Sequence, residues 1–109
     1  MAKRMDTLKR LEATLAQRRT ASPQDSYVAK LHAGGLPVMA RKVGEEGVEA
    51  AIAAISGTRE ELTGEAADLL FHLMVLLDAR ELSMDDVLAE LDRREGLSGL
   101  TEKASRSTQ

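Results

Sequence analysis

The chain has 109 residues, enough for one domain and too few for two. Its formal charge of −3 argues against nucleic-acid binding by bulk electrostatics, and the absence of cysteine excludes disulfides and thiolate zinc sites. The N-terminus is charged throughout, unlike a signal peptide, and no apolar run reaches the ~18 residues of a membrane span. We therefore expect one cytoplasmic domain over residues 1–109, without nucleic-acid or membrane partners.

The composition favours helices that pack through aliphatic side chains, because 43% of the residues are hydrophobic but only 2% are aromatic. An apolar stripe at spacings of three and four predicts a first helix over about Met5–Arg19. A short second helix is expected to end near Gly34. Ser22 suits its N-cap, Pro23 its first position and Asp25 its reciprocal acid. The apolar set of this helix is Tyr27, Val28 and Leu31.

The third and fourth helices are long and follow each other closely. The third is predicted over about Pro37–Ser56, with Gly57 as its stop. Thr58 with Glu61 has the spacing of a capping box, which predicts a fourth helix over about Arg59–Arg80.

The last predicted element is a fifth helix over about Met84–Glu95. Ser83 is suited to cap it, and Gly96 to stop it. Residues 97–109 are polar, and the end of this tail is expected to be mobile. No segment alternates as a strand does, so the predicted fold class is all-α with about five helices.

The fourth helix is apolar nearly all round. From residue 66 to residue 77 the only polar side chains are Asp68 and His72. A helix of this kind has to be buried on most sides, which a single chain of this size would struggle to do. The pattern predicts a homodimer in which the third and fourth helices of both chains form one bundle. The expected core arc is Leu62, Leu69, Leu73 and Leu76.

Two acidic pairs are the strongest chemical signal. Glu46 and Glu49 are three residues apart, and Glu65 and Asp68 repeat that spacing on the next helix. Residues three apart share a helix face, where like charges repel. Two such faces turned toward each other would form a cluster of oxygen ligands that suits a hard divalent cation such as Mg²⁺ or Mn²⁺.

Each of these residues also has a structural interpretation. A glutamate pair at this spacing is usually a solvated face, although Asp68 lies in a leucine-rich stretch where a buried acid needs a partner. Lys42 could form an ion pair one turn along its helix or contact a phosphate. His72 is interpreted as a hydrogen-bonded core histidine that supports Asp68. Gly44 and Gly47 are interpreted as sites of close helix packing.

The two acidic motifs resemble a known signature. Glu45-Glu46-Gly47-Val48-Glu49 followed by Glu65-Ala66-Ala67-Asp68 is similar to the metal-binding signature of the MazG-like all-α nucleotide pyrophosphohydrolases. Further motifs resemble one family within this superfamily, the phosphoribosyl-ATP pyrophosphatases. They lie at residues 25–31, 42–46, 65–73, 93–94 and 98–106. Gly47 stands where alanine is more usual in that family, and Phe71 where tyrosine is frequent.

The resemblance implies a Mg²⁺-dependent enzyme of histidine biosynthesis, with Mn²⁺ as a substitute, that hydrolyses phosphoribosyl-ATP to phosphoribosyl-AMP and pyrophosphate. In this reaction water attacks the α–β phosphoanhydride. The implied site consists of the metal ligands Glu46, Glu49, Glu65 and Asp68; the general base Glu45 or Glu49; the phosphate-binding residues Lys30, Lys42, Lys103 and Arg106; and the supporting residue His72.

Two alternatives remain open at this point. The acidic cluster alone is equally typical of a pyrophosphohydrolase that removes dUTP or damaged deoxynucleotides. A helical dimerisation module without enzymatic activity would instead have solvated acids that bind no metal, so that loss of the Asp68 carboxylate would be harmless.

Overall fold

The computed structural model describes residues 2–95, except for the side chains of residues 2, 3 and 5. Within this range the chain forms five helices and no strand, which confirms the all-α prediction. The helices are α1 (Ala2–Arg18), α2 (Tyr27–Gly34), α3 (Leu36–Ser56), α4 (Arg59–Ala79) and α5 (Met84–Arg94). Gly96 and the tail 97–109 lie outside the described residues.

The hydrophobic core lies where α1 and α2 pack against the first part of α3 and the last part of α4. Leu15 and Val75 are its most deeply buried large side chains, each 1% exposed. The remaining buried members of this cluster are Val28, Leu31, Met39 and Met74. The stripe predicted for α1 is confirmed at Leu8, Leu11 and Leu15, which all pack in this cluster. The core therefore occupies one end of the long α3–α4 pair.

The start of α2 differs from its prediction. Ser26, not Ser22, is the N-cap, and its buried hydroxyl accepts a hydrogen bond from the Ala29 backbone N–H at 3.2 Å. Residues 23–25 form a turn instead of helix, because the Ser22 carbonyl accepts hydrogen bonds from the backbone of residues 25 and 26. The end of α2 near Gly34 is confirmed. Gly35 links α2 to α3 with a φ of 89°, in the left-handed region that favours glycine.

The α3–α4 hairpin has the predicted boundaries to within one residue, and it is the most extensive helix pair among the described residues. Gly57 ends α3 with extended backbone, and a side chain there would meet the Ala53 carbonyl oxygen at 2.9 Å. Thr58 and Glu61 form the predicted capping box with both reciprocal hydrogen bonds. Because the connection is short, the two helices run antiparallel in contact.

The far end of this hairpin leaves large apolar side chains exposed. Val48, Ile52 and Ile55 on α3 are 60%, 57% and 88% exposed. Leu62 on α4 is also exposed, so its predicted place in the core is wrong within one chain. The buried face of α4 is centred on Met74 and Val75 and is rotated away from the predicted leucine arc.

The fifth helix has the predicted cap but little packing. Ser83 and Asp86 form a capping box, and the Met84 N–H donates to the Glu12 carboxylate of α1 at 2.7 Å. No residue of α5 is buried by the part of the chain that the structure describes. None of the helices in that part is both long and apolar enough to cross a membrane.

Candidate metal centre

Three carboxylates converge between α3 and α4. Glu46 and Glu49 lie one turn apart on α3, and Glu65 reaches them from α4. Each offers an oxygen, and these three oxygens lie within 4.8 Å of one another. Gly47 faces α4 at this level, where its missing side chain would lie 4.0 Å from Leu69. Oxygens at this spacing are candidate ligands for one cation.

The burial of this group fits a cation. Glu46 is only 7% exposed, and the Oε2 atom of Glu65 has no solvent contact and no hydrogen-bond partner among the described residues. A buried carboxylate oxygen without a partner is costly, and a divalent cation satisfies it. Glu46 raises the pKa of Glu49, both through a shared hydrogen bond and through charge repulsion. The three carboxylates repel one another when no metal is bound, and a hard divalent metal ion would remove that repulsion.

Asp68 lies beside this group but outside it. Its side chain is exposed, so the premise of a buried aspartate in the leucine-rich stretch is wrong for the single chain. With Glu49 and Glu65 it lines a hollow of about 480 Å³ between the two helices. The structure thus brings three of the four expected ligands together and places the fourth at the rim of the same hollow.

A second hollow, of about 710 Å³, lies on the outer side of α3. Lys42 and Glu45 line it together with Glu49, which borders both hollows. The Lys42 ammonium lies 3.5 Å from Glu45 and 3.7 Å from Glu46. The nearby Tyr27 phenol, when ionised, is the largest cause that raises the pKa of Lys42, and the two glutamates raise it further. Lys42 is therefore a cation placed directly beside the acidic group.

Tyr27 is the residue of this region that sequence reasoning missed. It was expected in the apolar set of α2, but it is 49% exposed, and its hydroxyl lies 2.8 Å from Nε2 of His72. The other ring nitrogen, Nδ1, lies 2.8 Å from the Asp68 backbone carbonyl. His72 is buried and hydrogen-bonded as predicted, although its partner is the carbonyl and not the carboxylate of Asp68. The sequence signal that includes Tyr27 is the family motif at residues 25–31.

The other predicted residues are scattered. Gly44 does not mark close packing, because a side chain there would meet no atom within 4 Å among residues 2–95. Lys30 is exposed on α2. Lys103 and Arg106 lie outside the described residues. Their roles in phosphate binding stay predictions.

The fold and the site define an all-α protein with a candidate metal site of three carboxylates between two antiparallel helices. The family model of phosphoribosyl-ATP pyrophosphohydrolase matches residues 8–95. The chain belongs to this family. It is 69% identical over 102 residues to the phosphoribosyl-ATP pyrophosphatase of Erythrobacter litoralis, covering 94% of this chain and 98% of that protein. The relative of the same name from Novosphingobium aromaticivorans is 64% identical, covering 94% and 95% of the two chains.

Proposed function

We propose that this protein hydrolyses phosphoribosyl-ATP to phosphoribosyl-AMP and pyrophosphate, the second step of histidine biosynthesis. Its membership of the family and its identity of 69% to a phosphoribosyl-ATP pyrophosphatase support the reaction and the substrate. The observation in the structure that carries the proposal is the group of three carboxylates with the unpartnered buried oxygen of Glu65. Since the reaction belongs to amino-acid biosynthesis, we place it in the cytoplasm.

Mg²⁺ is the cofactor we propose for this group. Glu46, Glu49 and Glu65 would hold it, with Asp68 joining from the rim of the hollow. When bound, the ion supplies positive charge that neutralises the triphosphate oxygens and the leaving pyrophosphate. Lys42 adds a further positive charge 3.7 Å from Glu46, where it would orient a phosphate. Lys30, Lys103 and Arg106 complete the proposed phosphate contacts.

The proton of the attacking water would pass to Glu45 or Glu49. Glu49 lies within the acidic group and borders both hollows. Glu45 is exposed and already faces Lys42 and Arg41. Glu45→Gln distinguishes the two, because Glu45 is not among the proposed ligands: loss of kcat with unchanged Mg²⁺ affinity would identify Glu45 as the base, and an unchanged kcat would leave Glu49.

The reaction is tested by pyrophosphate release from phosphoribosyl-ATP, ATP, dUTP and dCTP, each with Mg²⁺ and with EDTA. We expect turnover of phosphoribosyl-ATP alone, and only with the metal. Turnover of a deoxynucleotide instead would overturn the substrate assignment while keeping the acidic site. If none of the four compounds is hydrolysed, the hypothesis of a helical dimerisation module without enzymatic activity is favoured. Asp68→Asn should remove nearly all activity while leaving the helical content unchanged.

We also propose that the active form is a homodimer. Val48, Ile52 and Ile55 expose apolar surface along the same helix as the acidic group, and Leu62 and Leu70 expose more on α4. Apolar surface of this kind on paired helices is usually covered in a bundle. Light scattering at micromolar concentration should give twice the monomer mass. A stable monomer there would remove the proposal.

A further inference from the structure

Tyr27 is a half-exposed aromatic side chain that is nevertheless held in one orientation. It is the first residue of α2, and its ring stacks on Phe71 with centroids 6.2 Å apart and an angle of 18° between the planes. The edge of the ring meets His72 at a centroid distance of 5.7 Å. A surface tyrosine usually gains little from being fixed. Here one side of the ring packs on the protein, and about half of the side chain remains open to solvent.

The hydrogen bonds of His72 define how this orientation is held. The Asp68 carbonyl can only accept, so the Nδ1 of His72 that faces it carries the hydrogen and donates. In the neutral ring Nε2 is then an acceptor, and the Tyr27 hydroxyl donates to it. Because His72 is buried and both of its nitrogens are bonded, the tyrosine ring is anchored to α4 from its tip.

Tyr27 is linked to the acidic hollow through His72. The Nδ1 atom of His72 lies 2.8 Å from the backbone carbonyl of Asp68, and Asp68 lines the hollow together with Glu49 and Glu65. On α3, ionisation of the Tyr27 phenol is the largest cause that raises the pKa of Lys42, which agrees with this placement. Lys42 in turn lies 3.7 Å from Glu46, and it borders the hollow that Glu49 also lines. Residues 42 and 49 are about 10 Å apart along α3 at 1.5 Å per residue. Carboxylates, a cation and an oriented aromatic ring are thus neighbours on α2, α3 and α4.

We propose that Tyr27 is the stacking platform for the heterocyclic base of the nucleotide whose phosphates bind at Lys42 and the metal. This inference rests on the proposed function for the identity of the substrate. The face of an aromatic ring is electron-rich and repels phosphate, but it attracts the flat surface of a base. A platform held in place before binding loses little conformational freedom when the base stacks on it. Stacking of one base on an aromatic side chain is worth roughly 5- to 150-fold in affinity.

The first test measures the intrinsic fluorescence of Tyr27. Tyr27 is the only tyrosine and there is no tryptophan, so the intrinsic fluorescence reports on this one residue. ATP with Mg²⁺ should quench it saturably, after correction for absorbed light with free tyrosine amide. Inorganic tripolyphosphate with Mg²⁺ carries the phosphates without the base and should leave it nearly unchanged. Equal quenching by both, or no saturable quenching by ATP, overturns the platform.

The second test separates binding from turnover. Tyr27→Leu should raise the KM for phosphoribosyl-ATP roughly tenfold or more with kcat within about threefold of wild type, because the stacking surface is lost. Tyr27→Leu also removes the hydroxyl that bonds His72, and Tyr27→Phe, which removes the hydroxyl alone, separates the two effects. Tyr27→Phe keeps the ring and should keep KM within about threefold. The control Leu91→Ala, at an exposed position on α5, should leave both constants unchanged.

The two proposals fail in different ways. A wild-type protein that does not turn over phosphoribosyl-ATP overturns the proposed function, while the quenching by ATP still tests the platform. Full wild-type turnover with an unchanged KM in Tyr27→Leu overturns the platform alone. A purely structural role for the tyrosine predicts that ATP and tripolyphosphate change its fluorescence equally, and that result would overturn the platform.

Discussion

Replacing Glu65 by glutamine is expected to stabilise the metal-free protein and to remove its response to Mg²⁺. A ligand oxygen of Glu65 lies within 4.8 Å of one from Glu46, and the Oε2 atom of Glu65 is buried without a partner in the described chain. Two unit charges at that distance repel by about 3 kcal/mol at an effective dielectric constant of 20 and by about 1 kcal/mol in water. Glutamine keeps the shape and removes the charge. The free energy of unfolding without metal should therefore rise by about 1–3 kcal/mol.

The assay is thermal unfolding followed by circular dichroism, in EDTA and in Mg²⁺. At about 4 °C or more per kcal/mol for a domain of this size, metal-free Glu65→Gln should melt at least about 4 °C above the wild type. A ligand at a hundred times its dissociation constant stabilises the folded protein by about 2.7 kcal/mol. Mg²⁺ at that excess should therefore raise the melting temperature of the wild type correspondingly and leave that of the variant unchanged.

The matched control is Glu60→Gln, which removes an exposed carboxylate from the first turn of the same helix. This variant should keep the Mg²⁺ response, with a small loss of stability from the helix dipole. The reasoning is refuted by a Glu65→Gln protein that melts below wild type in EDTA and still responds to Mg²⁺. In that case the oxygen is satisfied within the protein and the group is no metal site.

Three further predictions concern stability. Gly44→Ala should raise the free energy of unfolding by about 1 kcal/mol, because alanine favours the helix and meets no described atom; a lower midpoint in urea would contradict this. Ser26→Ala should cost about 1 kcal/mol in the same assay, whereas Ser22→Ala should cost less, since only Ser26 caps α2. Burial lowers the pKa of His32 despite the nearby Asp78, so its neutral form is favoured by folding. This contribution to stability is present above the unfolded pKa of about 6.5 and is lost as the pH falls through the folded value. In EDTA, His32→Asn should therefore make the melting temperature fall less steeply as the pH is lowered. An unchanged slope would show that His32 is not the cause of the pH dependence.

The helix boundaries were predictable wherever a signal lies within a few residues. Thr58 with Glu61 and Ser83 with Asp86 form capping boxes, because each needs only the backbone of its own first turn. The start of α2 was misplaced, since Ser22 and Ser26 both resemble caps in the sequence. What decides between them is the turn at residues 23–25, which leaves the Ser26 hydroxyl buried under the helix.

Part of the candidate site was likewise predictable from local sequence, and part was not. The spacing of Glu46 and Glu49 within one helix brings their carboxylates together in any fold that keeps α3 helical. The same spacing on α4 predicted Glu65 and Asp68 equally, yet only Glu65 joins the group of three. Which acid faces α3 depends on the rotation of α4 about its own axis, and packing between the helices sets that rotation.

The sequence by itself determined the number of helices, most of their ends and the family to which the chain belongs, because these depend on local backbone hydrogen bonds and on short words of adjacent residues. Only the tertiary structure decided which of the expected ligands converge and which aromatic side chain adjoins them. The Tyr27–His72 hydrogen bond joins residues 45 positions apart. Such a contact follows from how α2 docks on α4, and no periodicity within either helix encodes it.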